Sequence, residues 1–443
     1  MIEFEPEEIF NPAKRAGINN HFTYGIKIEE RTVGTTGDNI HFGLRKFVIG
    51  GDLNYENVYP ADAVISIEKS FRGGIFAPPG VGKSLSLQSI VDRAQLFDYG
   101  IIIVTDVKGE WASSREKVQE KYRGQLKPGE SAQKFEVAEY YPQFLAYQGG
   151  KEPPPNAKIV QLGLKNISYE DLLALMDLPS KISPSKTNLL QNCFDSVKKS
   201  LEPTLEALIM EVGEYDFNPS TKETILNSLR RVQKIGIIGD DYDWIDIGKD
   251  IKEGNRIIFN IRGYEGIDKK TTQIYVGILT KQIVFSKDQG LIKASKKMLV
   301  VYEESGDFCP RYGKIYSKDE IEECVRKSRA QGISLMFVAQ SPEMISEQII
   351  GQMDIVFFSY KTNLSDMARL IKEKICPDFA GSSLAVQARL SEILRETKAG
   401  IHEDGSRDWF YFNGFRKEIG KNYFWIIKFY MCLSAHTEEK GAK

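Results

Sequence analysis

The chain has 443 residues, of which 42% are apolar and 27% charged, with a formal net charge of −2. That composition supports a large core in two or more folding units and excludes collagen-like, low-complexity and strongly charged disordered chains. No apolar run approaches the roughly 20 residues that cross a bilayer, and the acidic start Met1-Ile2-Glu3-Phe4-Glu5-Pro6 lacks the pattern of a secretory signal. The five cysteines lie far apart, and with only four histidines a Cys/His metal site is not expected. A reducing, cytoplasmic setting follows as the expectation. The near-neutral total does not advertise nucleic-acid binding, and the cluster Lys293-Ala294-Ser295-Lys296-Lys297 reads more simply as a solvated loop.

In chain order, residues 1–70 hold short alternating stretches at 22–28 and 41–49 between glycine pairs and turns, the pattern of a small β-rich region. Apolar runs at 74–77 and 101–105 read as buried parallel strands, and the helical pattern over 84–96 between them completes a strand–loop–helix–strand unit. From 111 to 250 the character changes. Pro153-Pro154-Pro155 breaks the chain, one strand-like run follows at 158–162, and helical patterns dominate at 169–178, 186–199, 202–214 and 219–234. Strands return at 256–260, 298–303, 333–339 and 355–359, with helices at 271–286, 318–330 and 364–374. The tail adds strand-like runs at 409–412 and 423–430. Strands alternating with helices predict an α/β fold, a mostly parallel sheet covered on both faces. The expected division is a β-rich region at 1–70, a sheet core from 71–110 with 251–443, and a mainly helical insertion at 111–250. No internal repeat is present.

Ala77-Pro78-Pro79-Gly80-Val81-Gly82-Lys83-Ser84 fits the Walker A phosphate loop, with Ala77 at the commonly Gly first position. Gly80 and Gly82 let backbone N–H groups turn inward around a β-phosphate without a Cβ clash. Lys83 offers a mobile cation to the β- and γ-phosphates, the Ser84 hydroxyl can coordinate Mg²⁺, and the following helix points its positive end at the phosphates. The candidate nucleotide-binding residues are therefore Pro79, Gly80, Val81, Gly82, Lys83, Ser84 and Leu85.

Met298-Leu299-Val300-Val301-Tyr302-Glu303-Glu304 is a buried strand ending in two carboxylates, the Walker B arrangement. The first acid holds the Mg²⁺ water shell and the second polarises the attacking water. Glu303 stands where Asp is usual, which leaves the division of labour between the two acids open. Gln340 ends the 333–339 strand, where an amide can bond both γ-phosphate and lytic water and so sense nucleotide state. Asp106 closes the second strand on the same ligand-binding side, although a turn leading into a helix would also use an acid there. In Arg326-Lys327-Ser328-Arg329 the cations form either a salt-bridged exposed face or an arginine finger for a neighbouring subunit.

These pieces, in this order, resemble the HerA–FtsK superfamily of ring-forming, DNA-pumping ATPases, and its HerA-like branch most. The resemblance covers roughly residues 70–400. It rests on Phe71-Arg72-Gly73-Gly74 leading into the phosphate loop, the Asp106-Val107-Lys108-Gly109-Glu110 turn, and Asp246-Ile247 with Gly254-Asn255-Arg256 ahead of the 256–260 strand. It also rests on the Glu303-Glu304 pair, and on Arg326-Lys327 through Gly332 to Gln340-Ser341-Pro342. It implies a RecA-like P-loop NTPase core, ATP and Mg²⁺ as ligands, and a hexameric ring around double-stranded DNA. Glu304 is then the catalytic acid beside Lys83, Gln340 the sensor, Arg329 the favoured trans-acting finger and Arg72 a second basic contributor at the nucleotide. A nuclease or transfer-machine partner is also implied. The departures are Glu303 for Asp, Ala77 for Gly and a short stretch before the phosphate loop. The expected function is an ATP-driven DNA translocase or helicase. The alternatives are an ATPase energising conjugative DNA transfer, secretion or viral genome packaging, and a nucleotide-dependent assembly protein that does not translocate.

Overall fold

The computed structural model describes residues 39–49, 55–66, 68–149, 152–177, 184–266, 269–372, 382–403, 406–413 and 424–436. The strand-like run expected at 22–28 lies outside them. The chain opens with β1 (Asn39–Ile49) and β2 (Tyr55–Ser66), then β3 (Arg72–Phe76), α1 (Lys83–Leu96) and β4 (Gly100–Asp106). Next come β5 (Val137–Pro142), α2 (Gln143–Gly149) and β6 (Lys158–Val160), followed by helices α3 (Tyr169–Met176), α4 (Pro184–Lys198), α5 (Leu205–Glu214), α6 (Pro219–Ile235) and α7 (Ile247–Lys252). The core resumes with β7 (Arg256–Asn260), α8 (Lys269–Asp288), β8 (Met298–Tyr302), α9 (Ser305–Phe308), α10 (Tyr316–Lys327) and β9 (Ile333–Ala339). It ends with α11 (Glu347–Gln352), β10 (Ile355–Ser359), α12 (Leu364–Leu370), α13 (Ser383–Glu396), β11 (Asp408–Asn413) and β12 (Phe424–Phe429).

All twelve strands join one sheet in the order β2-β1-β12-β11-β10-β3-β9-β8-β4-β7-β5-β6. From β10 to β6 every neighbour is parallel, whereas β11, β12, β1 and β2 extend the sheet antiparallel beyond β10. The strand period of two sorts the apolar runs onto opposite faces. Val300, Tyr302, Leu335 and Phe337 pack on the face that carries α8, α10 and the helices after β6. Leu299, Val301, Met336 and Val338 pack on the other face, with Leu87, Ile90 and Val91 of α1. Continuous apolar runs are what a strand buried on both faces requires, and this gives the parallel core its sequence signature. The stretch 111–250 supplies α2 to α7, and it also contributes β5 and β6 to the sheet edge.

Helix α1 departs from the usual amphipathic pattern, because Gln88, Ser89, Asp92 and Arg93 are buried along with its apolar residues. Many of their partners come from a strap at residues 431–436, with Arg256 and Glu130 supplying others. The Asp92 carboxylate accepts from Leu433 N (2.8 Å), Ser434 N (2.9 Å) and Ser434 Oγ, and from Arg256 Nη2 at 2.9 Å. Gln88 Nε2 donates to Ser434 Oγ at 2.7 Å and to Ala435 O at 2.9 Å. Arg93 forks onto Glu130 and also donates to Met431 O. Burial of so many polar groups is tolerable because most of their atoms are bonded; Gln88 Oε1 and Arg256 Nη1 are the exceptions in this cluster. Among the described residues no helix is long and apolar enough to cross a membrane.

Candidate active site

In a parallel sheet the carboxyl ends of the strands share one edge, where ligands bind. Along that edge run β10, β3, β9, β8 and β4. The phosphate loop leaves β3 with Phe76 level with Ala339 of β9, and Ala77 N donates to Ala339 O at 3.2 Å. It turns through Gly80 and Gly82 at φ of 73° and 82°, the left-handed region where only glycine is unstrained. A Cβ at Gly80 would meet nothing within 4 Å, so the backbone conformation, not space, demands glycine there. Lys83 opens α1 and its Nζ donates back to Ala77 O at 2.9 Å, which lays the ammonium across the inside of the loop. Ser84, in the first turn, is buried beside it.

Strand β8 lies one strand beyond β9, with Tyr302 level with Phe337. The next two residues, Glu303 and Glu304, therefore follow at the height of Ile75 and Phe76, the last residues before the phosphate loop, two strand spacings or roughly 10 Å across the edge. Gln340, directly after β9, stands between the loop and the acids. The sheet thus brings Lys83, Ser84, Gln340, Glu303, Glu304 and Asp106 to one edge.

Glu304 has φ of 42°, a left-handed conformation that costs a non-glycine residue about 1–2 kcal/mol. Ser305 holds the kink, donating to Tyr302 O at 2.7 Å and accepting from Val338 N at 3.0 Å. The kink separates the two acids. Glu303 is buried with Asp106 and Glu110, whereas Glu304 lines a cleft of about 360 Å³ with Gln340, Lys108, Tyr264 and Asp307.

Burial, reinforced by Asp106 and Glu110, pushes the Glu303 carboxyl up to about 8, against the opposing pull of Lys108. Burial likewise raises Asp106 to about 7, although N–H groups of Glu110, Trp111 and Gly109 favour its charged form. Asp106 accepts those bonds at 2.8–3.3 Å, so it caps the 3₁₀ turn that follows β4 as well as facing Glu303. Two carboxyls this deeply buried cannot both ionise unless a cation compensates them. Among the described residues no three His, Cys, Asp or Glu side chains form a self-sufficient metal cluster. A hydroxyl and one or two carboxylates, completed by phosphate oxygens and water, is instead the hard oxygen set that Mg²⁺ takes. The residues present fit that ion.

Arg72 does not join this edge. It begins β3, and the strand carries it roughly 13 Å from the phosphate loop. There its Nε meets Asp354 at 3.4 Å and its Nη1 donates to Gln352 Oε1 at 2.7 Å. Strand length therefore places Arg72, expected as a second basic contributor at the nucleotide, on the edge opposite its own chain's phosphate loop, which leaves only a neighbouring subunit's nucleotide for it. Arg329 also pairs with Asp354, but its side chain is half exposed where that of Arg72 is 8% exposed. Arg326 pairs with Glu323 on the exposed face of α10.

One basic residue at the phosphate loop had no sequence signal. Arg407, ahead of β11, brings Nη1 to 2.9 Å from where a Cβ at Gly82 would stand.

The family model for the helicase HerA central domain matches residues 62–283, half of the chain. The chain belongs to this HerA family. Its members' ATPase core makes the protein an ATP-hydrolysing, ATP-driven motor of the HerA/FtsK-related class, for which ATP and Mg²⁺ are the implied ligands. No curated protein matches it. Among solved structures, VirB4 of Thermoanaerobacter pseudethanolicus is similar at 12% identity and a TM-score of 0.51, covering 89% of this chain and 98% of that one. The plasmid coupling protein TrwB, solved with a non-hydrolysable ATP analogue, is similar at 12% identity and a TM-score of 0.43, covering 68% of this chain and 74% of that one. The VirB4 likeness agrees with a RecA-like P-loop fold for this HerA-family chain.

Proposed function

We propose that this HerA-family motor is a ring-forming translocase that couples Mg-ATP hydrolysis to movement along double-stranded DNA. The observation that carries the ATPase part is the split of the acid pair at one sheet edge. Glu303 is buried with Asp106, where both can ionise only beside a cation, and Glu304 faces an open cleft beside Gln340. In this reading the loop N–H groups and Lys83 hold the β- and γ-phosphates. Ser84 and Glu303 hold Mg²⁺, which when bound neutralises charge on the phosphate oxygens. Glu304 orients and polarises the attacking water, and Gln340 bonds that water and the γ-phosphate. Arg329 is the cation offered to the next subunit, since its exposure lets it reach outward while Arg72 is held inside.

The DNA and ring parts rest on family membership and are tested directly. Duplex DNA is expected to raise ATP turnover in a ring-sized preparation, and Glu304→Gln is expected to abolish turnover while nucleotide still binds. If turnover ignores DNA of every form in a preparation that hydrolyses ATP, the translocase reading fails and an ATPase energising transfer or secretion takes its place. If Glu304→Gln hydrolyses ATP at the wild-type rate, the assignment of the water-polarising acid is wrong.

A further inference from the structure

We infer that Arg407 is a nucleotide-binding residue of its own chain, a guanidinium that grips the diphosphate end of ATP and ADP from the side opposite Glu304. The inference rests on the phosphate-loop reading of Gly82 and Lys83.

Three observations carry it. First, Arg407 Nη1 is packed against the loop at Gly82, where a Cβ would come within 2.9 Å of it. This sets a guanidinium beside the same loop that carries the Lys83 ammonium, so two cationic groups flank the phosphate cradle. An anion between them turns the two into a single binding site. Second, the Nε of Arg407 is buried and has no hydrogen-bond partner in the protein. A buried donor without an acceptor is costly, and a phosphate oxygen is the acceptor that the Nε–Nη fork matches. Third, the backbone that carries Arg407 is tied down on both sides. Arg407 forms an antiparallel bridge with Ile401, and His402 N donates to Ser406 O at 2.9 Å. The adjacent Asp408 is buried and takes Lys46 Nζ at 3.1 Å on each oxygen, His402 Nε2 at 3.0 Å and Gly400 N at 3.2 Å.

The sheet order fixes which phosphates are within reach. Glu304 and Gln340 approach from β8 and β9, on one side of β3. Arg407 approaches from β11, across β10 on the other side. The γ-phosphate belongs to the side of the water-polarising acid. The α- and β-phosphates, which ADP retains, are left for Arg407. This separates it from an arginine finger, which acts on the γ-phosphate of a neighbour.

The test uses the full chain with Mg²⁺ and fluorescent N-methylanthraniloyl-ADP and -ATP, comparing wild type with Arg407→Ala, Arg407→Gln, Arg407→Lys and Lys83→Ala. Arg407→Ala and Arg407→Gln are expected to weaken both nucleotides by tenfold or more and by similar factors. Arg407→Lys should recover part of the loss. Melting temperatures of the nucleotide-free Arg407 variants should stay at or above wild type, which a purely structural arginine would not allow. Wild-type affinity for both nucleotides in Arg407→Gln, with binding lost in Lys83→Ala, overturns the assignment alone. Loss confined to the triphosphate also overturns it, since the contact would then be to the γ-phosphate. Wild-type affinity in Lys83→Ala removes the phosphate-loop reading, and the inference with it.

Discussion

Replacing Asp92 by Asn keeps the volume of the side chain and removes its charge. Arg256 lies fully buried against Asp92, so the substitution leaves a guanidinium with no counter-charge. The guanidinium keeps Gln95 Oε1 at 3.0 Å and the rings of Phe135 and Trp111, 4.5 and 6.0 Å from the centroids. Breaking a buried ion pair from one side costs about 3–5 kcal/mol. Each of the Leu433 and Ser434 N–H groups that loses its acceptor adds about 1–3 kcal/mol. These terms overlap, because the 431–436 strap can peel into water and hydrate its own amides. A net loss of about 4 kcal/mol is expected, or a melting shift on the order of 4 °C for a chain this size. Hydrogen exchange is the assay that locates the damage: the amides of 433 and 434 should lose protection before the parallel strands do. The double variant Asp92→Leu with Arg256→Met should recover the ion-pair share of the loss but not that of the strap amides, which leucine leaves without an acceptor. A melting temperature within 1 °C of wild type in Asp92→Asn, with those amides still protected, refutes the reasoning.

Further outcomes follow from the same geometry. Gly82→Ala should abolish nucleotide binding, because its φ of 82° strains an alanine and the new Cβ meets Arg407; isothermal titration with ADP reads this. Arg329→Ala should lower turnover without loss of ATP affinity. Mixing it with Glu304→Gln protein should restore activity at sites that combine an intact Glu304 with a neighbour's intact Arg329, and the absence of any recovery would place the finger elsewhere. Without nucleotide, stability should fall as pH rises from about 5 to about 8. A carboxyl that keeps its proton when folded and loses it when unfolded makes the native state the stronger proton binder across that window, as burial dictates for Glu303 and Asp106. Glu303→Gln should flatten that slope in melting curves, and an unchanged slope would show that the acid pair is not its source.

The parallel core was legible because strands buried on both faces must be apolar throughout, as the runs at 298–302 and 333–339 are. The phosphate loop and the acid pair were legible because their chemistry is local. β5 escaped because Glu139 interrupts its pattern. That residue is buried in the fold, with Asn260 Nδ2 at 2.8 Å and Arg115 Nη1 at 2.9 Å, partners that no local window contains. The helix over 84–96 was legible, but the burial of its polar residues was not, since the strap that bonds Gln88 and Asp92 lies about 340 residues downstream. The resemblance implied a nucleotide role for Arg72 at the entry to the loop, but within its own chain strand β3 sets it the full height of the sheet away. Arg407 was silent because its site arises only once β11 is known to lie two strands from β3.

The unbroken ladder from β3 through β10, β11 and β12 to β1 and β2 has a mechanical meaning. Main-chain bonds join the outermost antiparallel pair to the strand that ends in the phosphate loop, so no flexible joint separates them along this route. A load applied to that margin is transmitted as through a splint, and whatever docks there shares the orientation of the nucleotide cradle.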